Sequence, residues 1–243
     1  MSIRSARSAV AFLTIIPLAE RSGDAGERLG RAYFPAVGAL LGFGAGIVLL
    51  IVSAFVTPLL GAAAALAVLA VATGGLHLDG LADTADGLLG GRDRERRLEI
   101  MRDPRVGSFG AIALVLVLLM DVAALASITP ARALLSLVVA GALSRWAMLW
   151  LVALLPYARP QGLGIAAAGG HRVFDLALGS VLAALACLLD WRSAVIAELL
   201  VAIVATGLAV FAKNRIGGAT GDVYGAAVEI CQLAVFVAFA VHR

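Results

Sequence analysis

Asp79, Asp83 and Asp86 stand at i, i+4 and i+7 in GGLHLDGLADTADGLLGG, residues 74–91, directly after a long apolar run. On an α-helix this spacing sets the three carboxylates within roughly 60° of one another. Acids so close repel, and desolvation at a membrane adds to the repulsion unless a cation offsets both. Oxygen donors without cysteine, and with the single nearby imidazole of His77, suit Mg²⁺ or Mn²⁺. A solvated helix end is the plain alternative. It does not account for three acids on one face bracketed by Gly74, Gly75, Gly80 and Gly87. His77 reads as a group behind the ligands, as a substrate contact, or as an interfacial structural histidine.

Two further stretches carry chemistry. GRDRERRLEIMRDPRVGSFG, residues 91–110, is the one strongly charged loop. Its arginines suit phosphates, lipid headgroups or topology control. The compact Arg102-Asp103-Pro104-Arg105 turn points to function, whereas Arg92 and Arg94 read as surface charge. In KNRIGGATGDVYGAAVE, residues 213–229, Gly217, Gly218 and Gly221 precede Asp222, with Lys213 and Arg215 beside them. Backbone N–H groups at such a helix start can cradle an anion. Glu229 lies seven residues after Asp222, on the same face and inside an apolar run, where an acid is a functional candidate by default. Arg145 and Asp121 sit near the middle of consecutive apolar runs and are candidates to neutralise each other. Tyr157-Ala158-Arg159 reads as a loop. A metal, a phosphate cradle and a membrane together suggest phosphoryl or nucleotidyl-linked transfer.

The elements that must position these groups follow from composition. The 243 residues are 62% hydrophobic and 14% charged, with a mean hydropathy of +1.00. A soluble domain would carry nearly twice that charge. The expected fold is an all-α polytopic integral membrane bundle forming one domain. About seven transmembrane helices lie near 35–57, 59–78, 109–128, 133–155, 174–190, 193–212 and 222–241, each of the length a bilayer requires. Residues 1–32 form a cytoplasmic or interfacial segment, with 9–19 as an interfacial or re-entrant helix, and 80–108 hold the acidic helix and arginine-rich loop. Of 19 basic residues, 15 fall on one side: Arg4, Arg7, Arg21, Arg28, Arg31, Arg92, Arg94, Arg96, Arg97, Arg102, Arg105, Arg159, Arg172, Lys213 and Arg215. Arg132, Arg192 and Arg243 fall on the other, and Arg145 lies within a span. The positive-inside rule makes the first side cytoplasmic, with the N-terminus and the acids facing it. Cys187 and Cys231, both in apolar stretches, imply neither a disulfide framework nor a zinc site. Gly38, Gly42 and Gly46 form a small-residue face for close helix packing, within the chain or in a homo-oligomer.

The blocks GGLHLDGLADTADGL, LEIMRDPRVGSFG and RIGGATGDVYGAAVE, with YFPAVG, SR (144–145) and YARPQGLG, resemble those of the cobalamin synthase (adenosylcobinamide-GDP ribazoletransferase) family, in order along nearly the whole chain. Residues 111–143 and 174–212 match only as apolar spans. The resemblance implies a Mg²⁺-dependent, multi-pass enzyme of the bacterial inner membrane whose site faces the cytoplasm. It would join adenosylcobinamide-GDP to α-ribazole or its 5′-phosphate and release GMP. The partners implied are these two small molecules and the bilayer, with no nucleic acid. It also points to Asp79, Asp83, Asp86, Glu99, Arg102, Asp103, Arg105, Arg215, Gly217, Gly218, Asp222 and Glu229. On that footing, the ribose 3′-hydroxyl attacks the cobinamide-bearing phosphorus. The expected metal ligands are Asp79, Asp83 and Asp222, with Asp86 as a second-metal ligand or proton acceptor. Arg105 and Arg215, assisted by Arg102, hold phosphate oxygens, Arg145 adds charge, and Glu229 orients a ligand or basic group. The alternatives are a CDP-alcohol-phosphotransferase-like membrane enzyme, whose AR pair after the first DG is missing here, and an ion-coupled transporter, for which no inverted repeat is seen.

Overall fold

The structure is a computed structural model describing residues 3–18, 30–159 and 172–241. Ten α-helices are present among them: α1 (Ile3–Leu13), α2 (Phe34–Phe55), α3 (Pro58–Ala72), α4 (Leu76–Gly90), α5 (Arg94–Ile100), α6 (Ser108–Ala126), α7 (Pro130–Leu154), α8 (Arg172–Cys187), α9 (Trp191–Ile216) and α10 (Gly221–Val241). Their starts follow local chemistry. Thr57, Thr129 and Asp190 accept side-chain bonds from the N–H groups of Leu60, Arg132 and Ser193, and Pro58 and Pro130 occupy first-turn positions. Proline and an oxygen cap there satisfy or remove donors that the helix leaves open.

Five helical stretches are long and apolar enough to cross a membrane, or six if the bent α3–α4 pair is one span. One of the five, Val173–Ile216, is 44 residues long and contains α8 and α9, two of the spans expected from sequence. Its break is Leu188–Asp190, where Asp190 lies 3.5 Å from Arg132 at the start of α7. The far ends of α8 and α9 return to the opposite side: Asp175 pairs with Arg31, and the Ile216 carbonyl meets Arg94.

The larger departure concerns the expected span 59–78. Helix α3 stops at Ala72, and α4 leaves it at 90°. Gly74 and Gly75 make that corner with φ of 62° and 72°, a conformation that side chains bearing a Cβ rarely adopt. The Ile15 N–H donates to the Ala72 carbonyl at 2.9 Å, so the chain following α1 seals the exposed end of α3. The apolar N-terminal segment thus forms a helix over 3–13 rather than across 9–19.

Helices α7 and α10 are the centre. In their most apolar stretches 78% and 72% of residues are buried, against 28% in α6. Leu40, Ile51, Leu119 and Leu199 remain exposed on the outer helices, as lipid-facing side chains do. The glycine stripe of α2 packs onto α7 within one chain. A Cβ on Gly38 would strike the Gly141 carbonyl, and one on Gly42 the Leu137 carbonyl. This contact leaves the suggested homo-oligomer without the feature that prompted it.

Candidate active site

The acids come together because α4 and α10 touch through glycine. A Cβ on Gly80 would lie 2.8 Å from the Asp222 carbonyl oxygen and 3.1 Å from the Gly225 Cα. That approach sets Asp79 and Asp83 of α4 opposite Asp222 at the start of α10. Asp79 is exposed and Asp83 and Asp222 half-buried. Asp83 lies within the electrostatic field of Asp79, Asp222 and Arg159. The Arg159 Nη2 approaches Asp222 Oδ2 to 2.9 Å and also donates to the Met101 carbonyl at 3.2 Å. The Thr220 hydroxyl donates to the same Asp222 oxygen at 3.2 Å. Among the described residues the buried Arg159 Nε has no hydrogen-bond partner, leaving a cationic donor beside Asp222 and Asp83.

Arg159, which from sequence reads only as part of a loop, thus belongs to the site. Its placement depends on a backbone pairing between distant segments. Ala158 N–H donates to the Ala219 carbonyl at 2.8 Å, and Ala219 N–H to the Pro156 carbonyl at 2.9 Å. The sequence signal was the YARPQGLG block, most of which (160–164) lies outside the described residues.

Asp86 differs from expectation. Its Oδ2 accepts from Gly107 N–H at 2.7 Å and its Oδ1 from Gly110 N–H at 2.9 Å. It is buried and caps the start of α6 from another helix. A Cβ on Gly107 or Gly110 would collide with this carboxylate. Both oxygens are engaged, so the geometry favours a structural anchor over a free base or second-metal ligand.

The glycine-rich segment also serves a different purpose from the anion cradle read in the sequence. Gly217, with φ of 81°, closes the C-terminus of α9, and its N–H donates to the Lys213 carbonyl. Gly218 lets the Pro156 carbonyl approach. Arg94 and Arg97 then cap the last carbonyls of α9. Arg94 Nε donates to Ile216 at 2.9 Å, and Arg97 Nη1 to Arg215 at 3.1 Å. Cations suit this negative end of the helix dipole. Arg215 is exposed and stacked over Phe211 at 5.1 Å.

Arg102 is exposed. Arg105 donates from Nε and Nη2 to Asp103 at 2.9 and 2.7 Å. These bonds hold the Asp103 carboxyl at about 2, below its ordinary value. Glu99 pairs with Arg96 at 2.7 Å on the surface.

His77, Arg145 and Glu229 gather elsewhere. His77 is two residues from Asp79, roughly 200° around the helix, so the two face opposite ways. With Asp121 and Gln232 these three line an interior cavity of about 20 Å³. All five side chains are buried. Arg145 donates to Ser144 at 3.1 Å, and no ion pair to Asp121 or Glu229 forms within 4.0 Å among the described residues. The cluster has room for about one water molecule. These three expected site residues therefore belong to the bundle interior rather than to the acid group.

Among the described residues no three His, Cys, Asp or Glu side chains converge closely enough to hold a metal alone. The four-aspartate set is not assembled as such, because Asp86 is engaged by α6 and Asp222 by Arg159. Asp79 and Asp83, one turn apart, retain the donor chemistry Mg²⁺ uses, one or two carboxylates completed by substrate phosphates.

The Cobalamin-5-phosphate synthase family model matches residues 5–240. The chain belongs to this family. It is 43% identical to the adenosylcobinamide-GDP ribazoletransferase of Rhizobium etli over 249 aligned positions, covering 96% of this chain and 94% of the relative. It is 45% identical to that of Azorhizobium caulinodans, covering 86% and 82%, and 38% identical to that of Desulforamulus reducens, covering 94% and 92%. No solved structure matches the chain. Family membership at this coverage leaves the CDP-alcohol-phosphotransferase and transporter readings without support.

Proposed function

We propose that this chain is an adenosylcobinamide-GDP ribazoletransferase, as its relatives are named, and that Asp79, Asp83, Asp222 and Arg159 form its reaction centre. The observation carrying the residue assignment is the α4–α10 glycine contact, which brings acids from distant sequence blocks together beside the half-buried Arg159.

The reaction joins an alcohol to a phosphorus. The 3′-hydroxyl oxygen of α-ribazole bonds to the phosphorus attached to cobinamide, the bridging P–O bond breaks, and GMP leaves with that oxygen. Asp79 and Asp83 are the residues that would hold Mg²⁺ with the diphosphate, and the ion supplies charge compensation for the departing phosphate. Among the described residues Asp83 pairs with no cation within 4.0 Å; half-buried, it would keep one carboxylate oxygen for the ion and use the other to take the hydroxyl proton in place of Asp86. Arg159 donates to a phosphate oxygen, and Asp222 with Thr220 fixes its guanidinium. Arg102 and Arg215, exposed on the same side, steer the anionic donor toward the site.

That side is cytoplasmic in this reading, and the membrane is the bacterial inner membrane. Arg94, Arg96, Arg97 and Arg105 cluster at the acid end, while Arg132 and Arg192 lie at the other, a distribution that favours the first end inside.

The test is GMP release by purified protein in liposomes given adenosylcobinamide-GDP and α-ribazole, with Mg²⁺ or EDTA. Wild type turns over only with Mg²⁺, and Asp83→Ala loses about 10³-fold or more, the scale of removing a reacting-group contact. Turnover surviving in Asp83→Ala would overturn the residue assignment while leaving the enzyme. No corrinoid product from folded wild type would overturn the activity.

A further inference from the structure

The corner between α3 and α4 opens on a groove of about 660 Å³. Phe12 and Ile15 wall it from the N-terminal segment, Leu76 and Leu78 from α4, and Val106 and Leu114 from the loop and helix beyond. Phe12 is held in place by stacking on Phe34, ring centroids 5.5 Å apart and planes 6° apart. Among the described residues, two polar side chains reach the groove. Thr73 turns its hydroxyl back to the Leu69 carbonyl at 2.9 Å, so Asp79 is the charged group at the rim. Asp79 thus belongs both to this groove and to the acids of the reaction centre.

We propose that the groove binds the heterocyclic base of the acceptor nucleoside and thereby sets acceptor specificity; this rests on the transferase reading above. Three ligand parts compete for the space. The corrin ring with its side chains is larger than the groove, which has the size of a drug-like ligand site. Guanine would bring several hydrogen-bonding groups against walls that offer them almost no partners, an unfavourable exchange for water. The benzimidazole of α-ribazole is flat and largely apolar, and burying it against Phe12, Leu78 and Leu114 removes that surface from water. With the base there, the attached ribose falls toward Asp79, the end where its 3′-hydroxyl must react. The paired Asp103 and Arg105 next to Val106 close the loop that forms one wall.

The experiment measures KM for each substrate separately, in liposomes with Mg²⁺, for wild type, Val106→Trp and Ile15→Ala. Both positions are rim side chains, 58% and 60% exposed, so the substitutions spare the core. The expected result is a KM for α-ribazole raised roughly tenfold, with the KM for adenosylcobinamide-GDP and kcat within about twofold, as for loss of binding shared by ground and transition states. A raised donor KM instead would assign the groove to the donor and overturn the proposal. Unchanged constants in both variants would leave it a lipid-filled cleft and overturn it equally. If wild type shows no turnover, the transferase reading fails by itself. Calorimetric titration of wild type and Val106→Trp with α-ribazole alone then decides the groove, and equal or absent binding overturns it.

Discussion

At the residue scale, identical side chains on one helix face have different duties because of what faces them. Asp83 looks toward the open acid group, whereas Asp86 one turn later is bonded to the N–H groups of Gly107 and Gly110. The two substitutions should therefore separate. Asp86→Ala is expected to cost about 1–2 kcal/mol through loss of a buried cap, with a lower unfolding temperature in detergent. Asp83→Ala should leave that temperature nearly unchanged and remove turnover. Equal melting temperatures for both would show that Asp86 does not anchor α6. The sequence could not distinguish them. The i, i+4, i+7 pattern places them on a common face, but the donors that occupy Asp86 come from another helix.

At the element scale, close approach is what assembles the site. Helices α4 and α10 meet at Gly80 and Gly225, and a methyl group at Gly80 would need the Asp222 backbone to move. Gly80→Ala is expected to destabilise by about 1–3 kcal/mol, the usual range for overpacking. It should also cut kcat/KM by about 100-fold, since small misplacement near reacting groups is costly. Gly44→Ala is the matching control, because a Cβ there meets nothing within 4 Å. It should unfold and turn over as wild type does. A Gly80→Ala enzyme of wild-type activity would show that the α4–α10 contact does not set the acid geometry. The α3–α4 corner belongs to this scale as well: hydropathy reads residues 59–78 as one span, while the left-handed Gly74 and Gly75 turn the chain by 90°.

At the scale of the whole molecule, the helices segregate charge to two ends. Arg96 lies in α5 at the acid end, and Arg192 follows the Asp190 break at the other. In a background with Cys187 and Cys231 replaced by alanine, a membrane-impermeant maleimide added outside intact cells should label Arg192→Cys and not Arg96→Cys. The reverse pattern would invert the topology and put the acids outside. Helices α7 and α10 link the two ends, since each packs against several outer helices.

Hydropathy, span lengths and the bias of arginines follow from single residues and their order, because lipid rewards apolar runs wherever they fold. The membrane bundle was therefore legible in the chain itself, and so were the acidic block and the glycine-flanked Asp222. Only tertiary structure decided that Arg159 reaches Asp222, that Asp86 and Gly217 close helices, and that His77, Arg145 and Glu229 withdraw into an interior cavity. Each of these depends on which groups a distant segment presents, and spacing along one helix carries no information about its partner across the bundle.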